Sequence, residues 1–284
     1  MKIGPKLILY IVAAGALLLG AASLVMFSLA NAPEWLMAIN TSVTHPTQPD
    51  YQAADKALAA LVKNGRVDYQ AAKNNADLKQ ALDQLAHTAP DKFAKPLDVL
   101  CYWINAKSLI TIKTIADKYP IRNNSAKPLG RDLNGTRYVV GGKAMSAQDI
   151  WLTKIKPYLM SPEKALINDP RAIMLVNSGA MGDPPVLDHC VTAKIYSKDL
   201  AANTFLYVRD KNNVNETDDG SYMSISPYFQ WNSDIIERHF SDAFQFVLYY
   251  QDLESKNYSG TMPFYTFNKD FDWRLNDINT TENQ

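Results

Sequence analysis

The chain has 284 residues, enough to bury a sizeable core as one large domain or two small ones. Basic and acidic side chains balance at 29 each, so no net field draws nucleic acid to the chain as a whole. Aromatic residues make up 11%, with fifteen tyrosines, which suits an ordered globular fold and argues against disorder.

The stretch from Leu7 to Ala30 carries no charge and follows Lys2 and Lys6. As a helix it would rise about 36 Å, longer than the roughly 30 Å hydrocarbon core of a bilayer. Two readings stand: an uncleaved transmembrane anchor, or a signal peptide removed near Ala30-Asn31-Ala32, where Pro33 would follow the cut. Both lysines lie on the N-terminal side, so either reading places the domain outside the cytoplasm, in the periplasm if the cell is bacterial. Residues 1–32 are thus the anchor or signal, 33–50 a polar, proline-bearing linker, and 51–284 a single globular domain. The membrane is therefore one expected partner.

Apolar spacing predicts a helix over 51–63, stopped by Gly65, and a short extended piece at Arg66–Tyr69. A second helix is expected over 76–88, and the longest over 96–119, with Pro96 in its first turn and Pro120 closing it. Strands are expected at 137–140, 172–176, 222–226 and 261–267. Helices are expected over 146–158 with Ser146 as N-cap, over 192–209, and over 233–253 with an aromatic face. Many helices with short, scattered strands predict an α+β fold, several helices around a small sheet.

An oxidising compartment makes Cys101 and Cys190 a disulfide candidate; a buried free thiol is the alternative for Cys101, which sits in an apolar helical run. Two cysteines without a CxxC pair and four scattered histidines give no metal-ligand spacing, so neither a metal nor another cofactor is expected.

Five stretches in order carry a family likeness: GRVDY (65–69), YWINAKSLITI (102–112), VGGKAMSAQDI (140–150), PRAIMLVNSGAMGDPPVL (170–187) and FDWRLN (271–276). Together they resemble a divergent member of the domain of unknown function 547, over most of residues 65–276. The resemblance implies a fold distantly related to papain-like or transglutaminase-like thiol enzymes. It also implies that the chemistry has gone. Ser178 and Asp183 stand where relatives carry cysteines, Ile173 where they carry a histidine, and Trp151 where they carry an acid. Lys107 and Ser108 replace a Tyr-Asn pair. Thiol catalysis needs a thiolate, a base and an orienting group, and those positions no longer supply them.

Replacement catalytic candidates are Ser178, Asp183 and His189, with Asp188 beside the histidine: the right residue types, though neighbours along a loop need not be neighbours in space. Local turn hydrogen bonds are the structural alternative for Ser178 and Asp183. Binding candidates are Asn105, Arg171, Asn177, Asp272 and Trp273. Asn105 is either bonded to neighbouring backbone or contacts a ligand. Arg171 pairs with Asp272 or Asp149, or binds an anion. Trp273 is core or a sugar-stacking platform. The aromatic runs at 227–231 and 244–250 exceed what one helix face needs, so part of them is a candidate groove lining. The expected function is a non-catalytic binding or interaction module for a peptide, a glycan or a protein. A hydrolase or acyl transferase acting on cell-envelope material through Ser178 or Asp183 is the alternative.

Overall fold

A computed structural model of the chain describes residues 49–161, 169–251, 264–268 and 270–280. The expected membrane segment and nearly all of the expected linker lie outside these residues. Among the described residues no helix is long and apolar enough to cross a membrane. All of them belong to the unit spanning residues 42–284, and the fold is α+β.

The N-terminal part is built on helices where apolar spacing places them. Helix α1 (Gln52–Leu61) buries Ala54, Leu58 and Leu61, then runs into a hairpin of β1 (Val62–Lys63) and β2 (Arg66–Val67). Asn64 and Gly65 make its turn with φ of 51° and 77°, the primed geometry that suits the strand twist. Gly65 is doubly constrained, because a Cβ there would lie 2.6 Å from Pro185 Cβ. After a short helix α2 (Tyr69–Ala72), α3 (Ala76–His87) is opened by Asn75, whose side chain accepts from Leu78 N at 2.7 Å.

Helix α4 (Pro96–Lys118) is the axis of the molecule: sixteen of its 23 residues are buried, on every face. A helix apolar all round must be enclosed, and α2, α3 and the segment after Ser146 pack against it. Helix α5 (Gly130–Gly135) leads to the hairpin β3 (Tyr138–Val140) and β4 (Lys143–Met145). Ser146 and Asp149 then form a reciprocal cap on α6 (Ala147–Ile150), which widens into a π turn over Trp151–Ile155 before α7 (Lys156–Met160).

The expected strand at 172–176 is a 3-10 helix, Pro170–Leu175. Asp169 accepts from Arg171 N, and Pro170 holds the first position, which together favour a helical start over an extended one. Helix α8 (Tyr196–Arg209) begins four residues later than expected. Strands β5 (Val214–Glu216) and β6 (Tyr222–Ile225) pair antiparallel, and β7 (Phe264–Phe267) adds parallel to β6. The expected helix over 233–253 is broken. After α9 (Pro227–Trp231) and the short α10 (Ser233–Ile236), Asp242 accepts from Gln245 N and starts a separate α11 (Ala243–Tyr250). Phe229, Phe244 and Phe246 fill the core, so most of the aromatic run is packing; Trp231 and Tyr249 face solvent.

Candidate functional site

The loop after the 3-10 helix is organised by one carboxylate. Asp183 Oδ2 accepts from Ser178 Oγ (2.7 Å), Ser178 N (2.7 Å) and Ala180 N (3.0 Å). Asp183 is buried, and burial pushes its carboxyl above the ordinary value, although those hydrogen bonds and Lys107 pull the other way. The loop in turn grips the C-terminal segment: Met181 N donates to Arg274 O, Gly182 N to Asp272 O, and Asn276 N to Gly179 O. Tyr207 OH donates to Gly182 O at 2.7 Å, and Tyr69 OH to Asn276 Oδ1.

This geometry is a structural clasp. A base that activates a serine must be free to take its proton, and here the accepting oxygen is shared with two backbone N–H groups. No imidazole is hydrogen-bonded to Ser178 or Asp183 among the described residues. His189 is engaged elsewhere, with Nδ1 2.7 Å from Asp188 Oδ1 and Nε2 3.2 Å from Asp199 Oδ1. The two catalytic candidates at 178 and 183 meet, and the third does not join them.

His189 ties the 188–191 loop to α8. Burial alone would lower its pKa, but the hydrogen bonds and charges of Asp188 and Asp199 win and raise it above 6.5. A proton held more tightly in the folded state stabilises fully below the unfolded pKa and is lost as pH rises through the folded value. The urea midpoint should therefore fall as pH is raised above 6.5. His189→Asn should flatten that decline, and an equally steep decline in the variant would assign it to other groups.

Several of the remaining candidates are held by backbone or by core packing. Asn105 bonds both polar groups of Val191: Nδ2 donates to its carbonyl and Oδ1 accepts from its N–H, each at 2.8 Å. Buried Lys107 donates to the carbonyl of Asn177 at 2.5 Å, and burial pulls its pKa down to about 8 against the opposing charge of Asp183. Cys101 and Cys190 are buried free thiols, so the candidate disulfide is not formed; both sit in core packing, and burial pushes Cys101 up to about 12. At neutral pH Cys101 carries no thiolate.

Arg171 pairs with neither Asp272 nor Asp149. It forks onto Asp169, with Nε 3.0 Å from Oδ1 and Nη2 2.6 Å from Oδ2, and lies 5.5 Å from the Tyr250 ring centroid. Asp272 holds Arg274 in the same way, at 3.0 and 2.6 Å, and Asp149 takes Arg137. The physical reason is local. An aspartate that accepts the backbone N–H two residues on sets its carboxylate beside that residue's side chain, and a short loop closes at little entropic cost.

A cleft of about 690 Å³ opens beside the clasp, lined by segments far apart in sequence. The turn after α8 supplies Asp210, Lys211, Asn212 and Asn213, and β5–β6 supply Asn215, Ser224 and Ser226. Asn268, Asp270, Phe271, Asp272, Arg274 and Arg66 complete the lining. Three cationic and three carboxylate side chains balance. Burial would raise the Asp272 carboxyl, but Arg274 outweighs it and holds it below the ordinary value. Phe271 joins the cleft to a ring cluster, 4.8 Å from Trp231 and 4.7 Å from Trp273 between centroids, and Trp231 is 50% exposed.

Of the binding candidates, Asp272 lines the cleft and Trp273 backs it, while Asn105, Arg171 and Asn177 do not line it. The amide set at 212, 213, 215 and 268 escaped the sequence reading. Its only signal was the polar turn DKNNVN, which is equally the signature of an ordinary loop. No protein-family model, curated protein or solved structure matches this chain.

Proposed function

We propose that this chain is a non-catalytic glycan-binding domain, divergent from the domain of unknown function 547, presented outside the cytoplasm by its N-terminal apolar segment. The observation that carries the reading is the pairing of a charge-balanced, amide-lined cleft with the half-exposed ring of Trp231. Sugars offer hydroxyls that both donate and accept, and Asn amides and Asp carboxylates answer both roles in fixed directions. They also offer a flat C–H face that rests on an aromatic ring. A cleft of about 690 Å³ is of the size that holds a small ligand. Zero net charge in the lining suits an uncharged chain better than an anionic one. The alternative of hydrolysis through Ser178 or Asp183 draws no support, because Ser178 donates to Asp183 and that carboxylate oxygen is shared with two backbone N–H groups of the same loop.

Titration calorimetry with a panel of neutral and N-acetylated oligosaccharides tests the reading. At least one should bind, and Trp231→Ala should weaken it about tenfold, a loss of about 1.4 kcal/mol. Asn212→Ala should weaken it too, with the unfolding midpoint of both variants near wild type. Binding unchanged in both variants, or no binding by any member of the panel, would end the glycan reading.

A further inference from the structure

A second cleft, of about 650 Å³, lies on a different set of elements from the polar one. Its walls are the 3-10 turn Pro90–Lys92, the first turns of α4 with Val99 and Trp103, the β3–β4 hairpin with Gly141 and Lys143, and the π turn with Lys154. Its charge is one-sided: three lysines, Lys92, Lys143 and Lys154, against the single carboxylate of Asp91. The floor is aromatic. Trp103 is nearly buried, and Lys154 Nζ stands 5.1 Å from its ring centroid.

We infer that this groove is a binding site for a phosphate-bearing ligand with a flat ring or apolar portion. Lys154 feels repulsion from Lys143, which the single carboxylate of Asp91 opposes, and the groove keeps an excess of positive charge. An anion seated between them would replace that repulsion with two charge-assisted contacts. Lysine serves phosphate as a hydrated point charge, without the planar fork that favours carboxylates. The π turn is what brings Lys154 over the tryptophan: the widened backbone at 151–155 re-aims the side chains, a deformation frequent at functional positions. Gly141 keeps the floor open. Its φ is +58°, and a Cβ there would crowd Pro90 Cδ at 3.2 Å and Trp103 Cη2 at 3.4 Å.

The same chemistry is carried by a soluble phosphomonoester and by a phospholipid headgroup, so the probes separate the two sources. Phenyl phosphate, inorganic phosphate and phenol are titrated against the protein by calorimetry. Phosphatidylcholine vesicles with and without phosphatidic acid are tested by sedimentation. Phenyl phosphate should bind more tightly than inorganic phosphate, and phenol should not bind. The double variant Lys143→Gln/Lys154→Gln should lose about tenfold in affinity and most of the salt dependence. Lys56→Gln, an exposed charge on α1, should match wild type. Retention on phosphatidic acid vesicles, lost in the double variant, without saturable phenyl phosphate binding would place the phosphate on a lipid. Equal binding in wild type and double variant, or no binding by any phosphate probe, would overturn the inference. Thermal midpoints of the variants exclude unfolding as the cause of a loss.

Discussion

Asp183→Ala is expected to destabilise the domain by about 3–5 kcal/mol, a large share of the about 5–15 kcal/mol that a native fold holds. The substitution removes the sole acceptor through which the N–H groups of Ser178 and Ala180 and the Ser178 hydroxyl are joined. A buried donor left without a partner costs about 1–3 kcal/mol, and two backbone N–H groups are affected together. Lys107 adds to the loss. It is already depressed by burial, and Asp183 is the charge that offsets its desolvation. Asp183→Asn should be much milder, since an amide oxygen can occupy the same position and accept the same bonds. Ser178→Ala should change stability by about 1 kcal/mol, because the two backbone donors keep their acceptor. Urea unfolding of the three variants measures the order. If Asp183→Ala unfolds at the wild-type midpoint, the clasp is not what holds the loop, and a chemical role for the pair returns.

That order matters for function because the two readings of NSGAMGDPPVL make opposite demands. A nucleophile and base must be accessible and unsatisfied enough to react. A clasp must be buried and fully bonded, since an unmet polar group in the interior is costly. The observed loop leans to the second demand: Asp183 is buried with three donors on Oδ2, Ser178 is half-buried against it, and Gly179 and Gly182 pass their backbone groups to the C-terminal segment.

Helix α4 was legible in the sequence because a long, mostly apolar stretch opens on one proline and is closed by another, and Ser146 was legible as a cap because capping chemistry is local. The local alternative for Ser178 and Asp183 was visible for the same reason. What failed was whatever depended on competition between near and far partners. Arg171 was assigned distant carboxylates when one stood two residues away. The apolar run 172–176 reads equally as a buried strand or a helical turn, and the cap at Asp169 decided it. The aromatic positions from Ser233 to Leu253 suit one helix face, yet Asp242 restarts the helix by taking a backbone N–H. The polar cleft could not be read at all: its walls come from residues 66, 182, 210–227 and 268–274, and nothing in any one segment names the others. The lysine groove is similar, since Lys92, Lys143 and Lys154 become a cluster only when the hairpin folds against α4 and the π turn.

Asn105→Ala is the second large effect, expected at about 3–4 kcal/mol. Asn105 sits in the middle of α4, in the stretch Tyr-Trp-Ile-Asn that carries much of the family resemblance, where a polar residue in an apolar helix invites a ligand role. The geometry argues otherwise. Its amide makes a two-sided bond to the backbone of Val191, so one side chain satisfies an N–H and a carbonyl that no sheet or helix partner reaches. Truncation strands both groups and leaves a small void beside the long helix. Asn105→Asp separates the contributions: the carboxylate can still accept from Val191 N–H but cannot donate to its carbonyl, and it adds a buried charge. It should therefore be no more stable than Asn105→Ala, despite being closer in size. Hydrogen exchange at Val191 N–H gives the local readout. Protection there should collapse in both variants, while amides in α11 should lose only what the global destabilisation requires. If Val191 keeps its protection and Asn105→Ala instead weakens ligand binding, the asparagine belongs to a site and not to the frame of the fold.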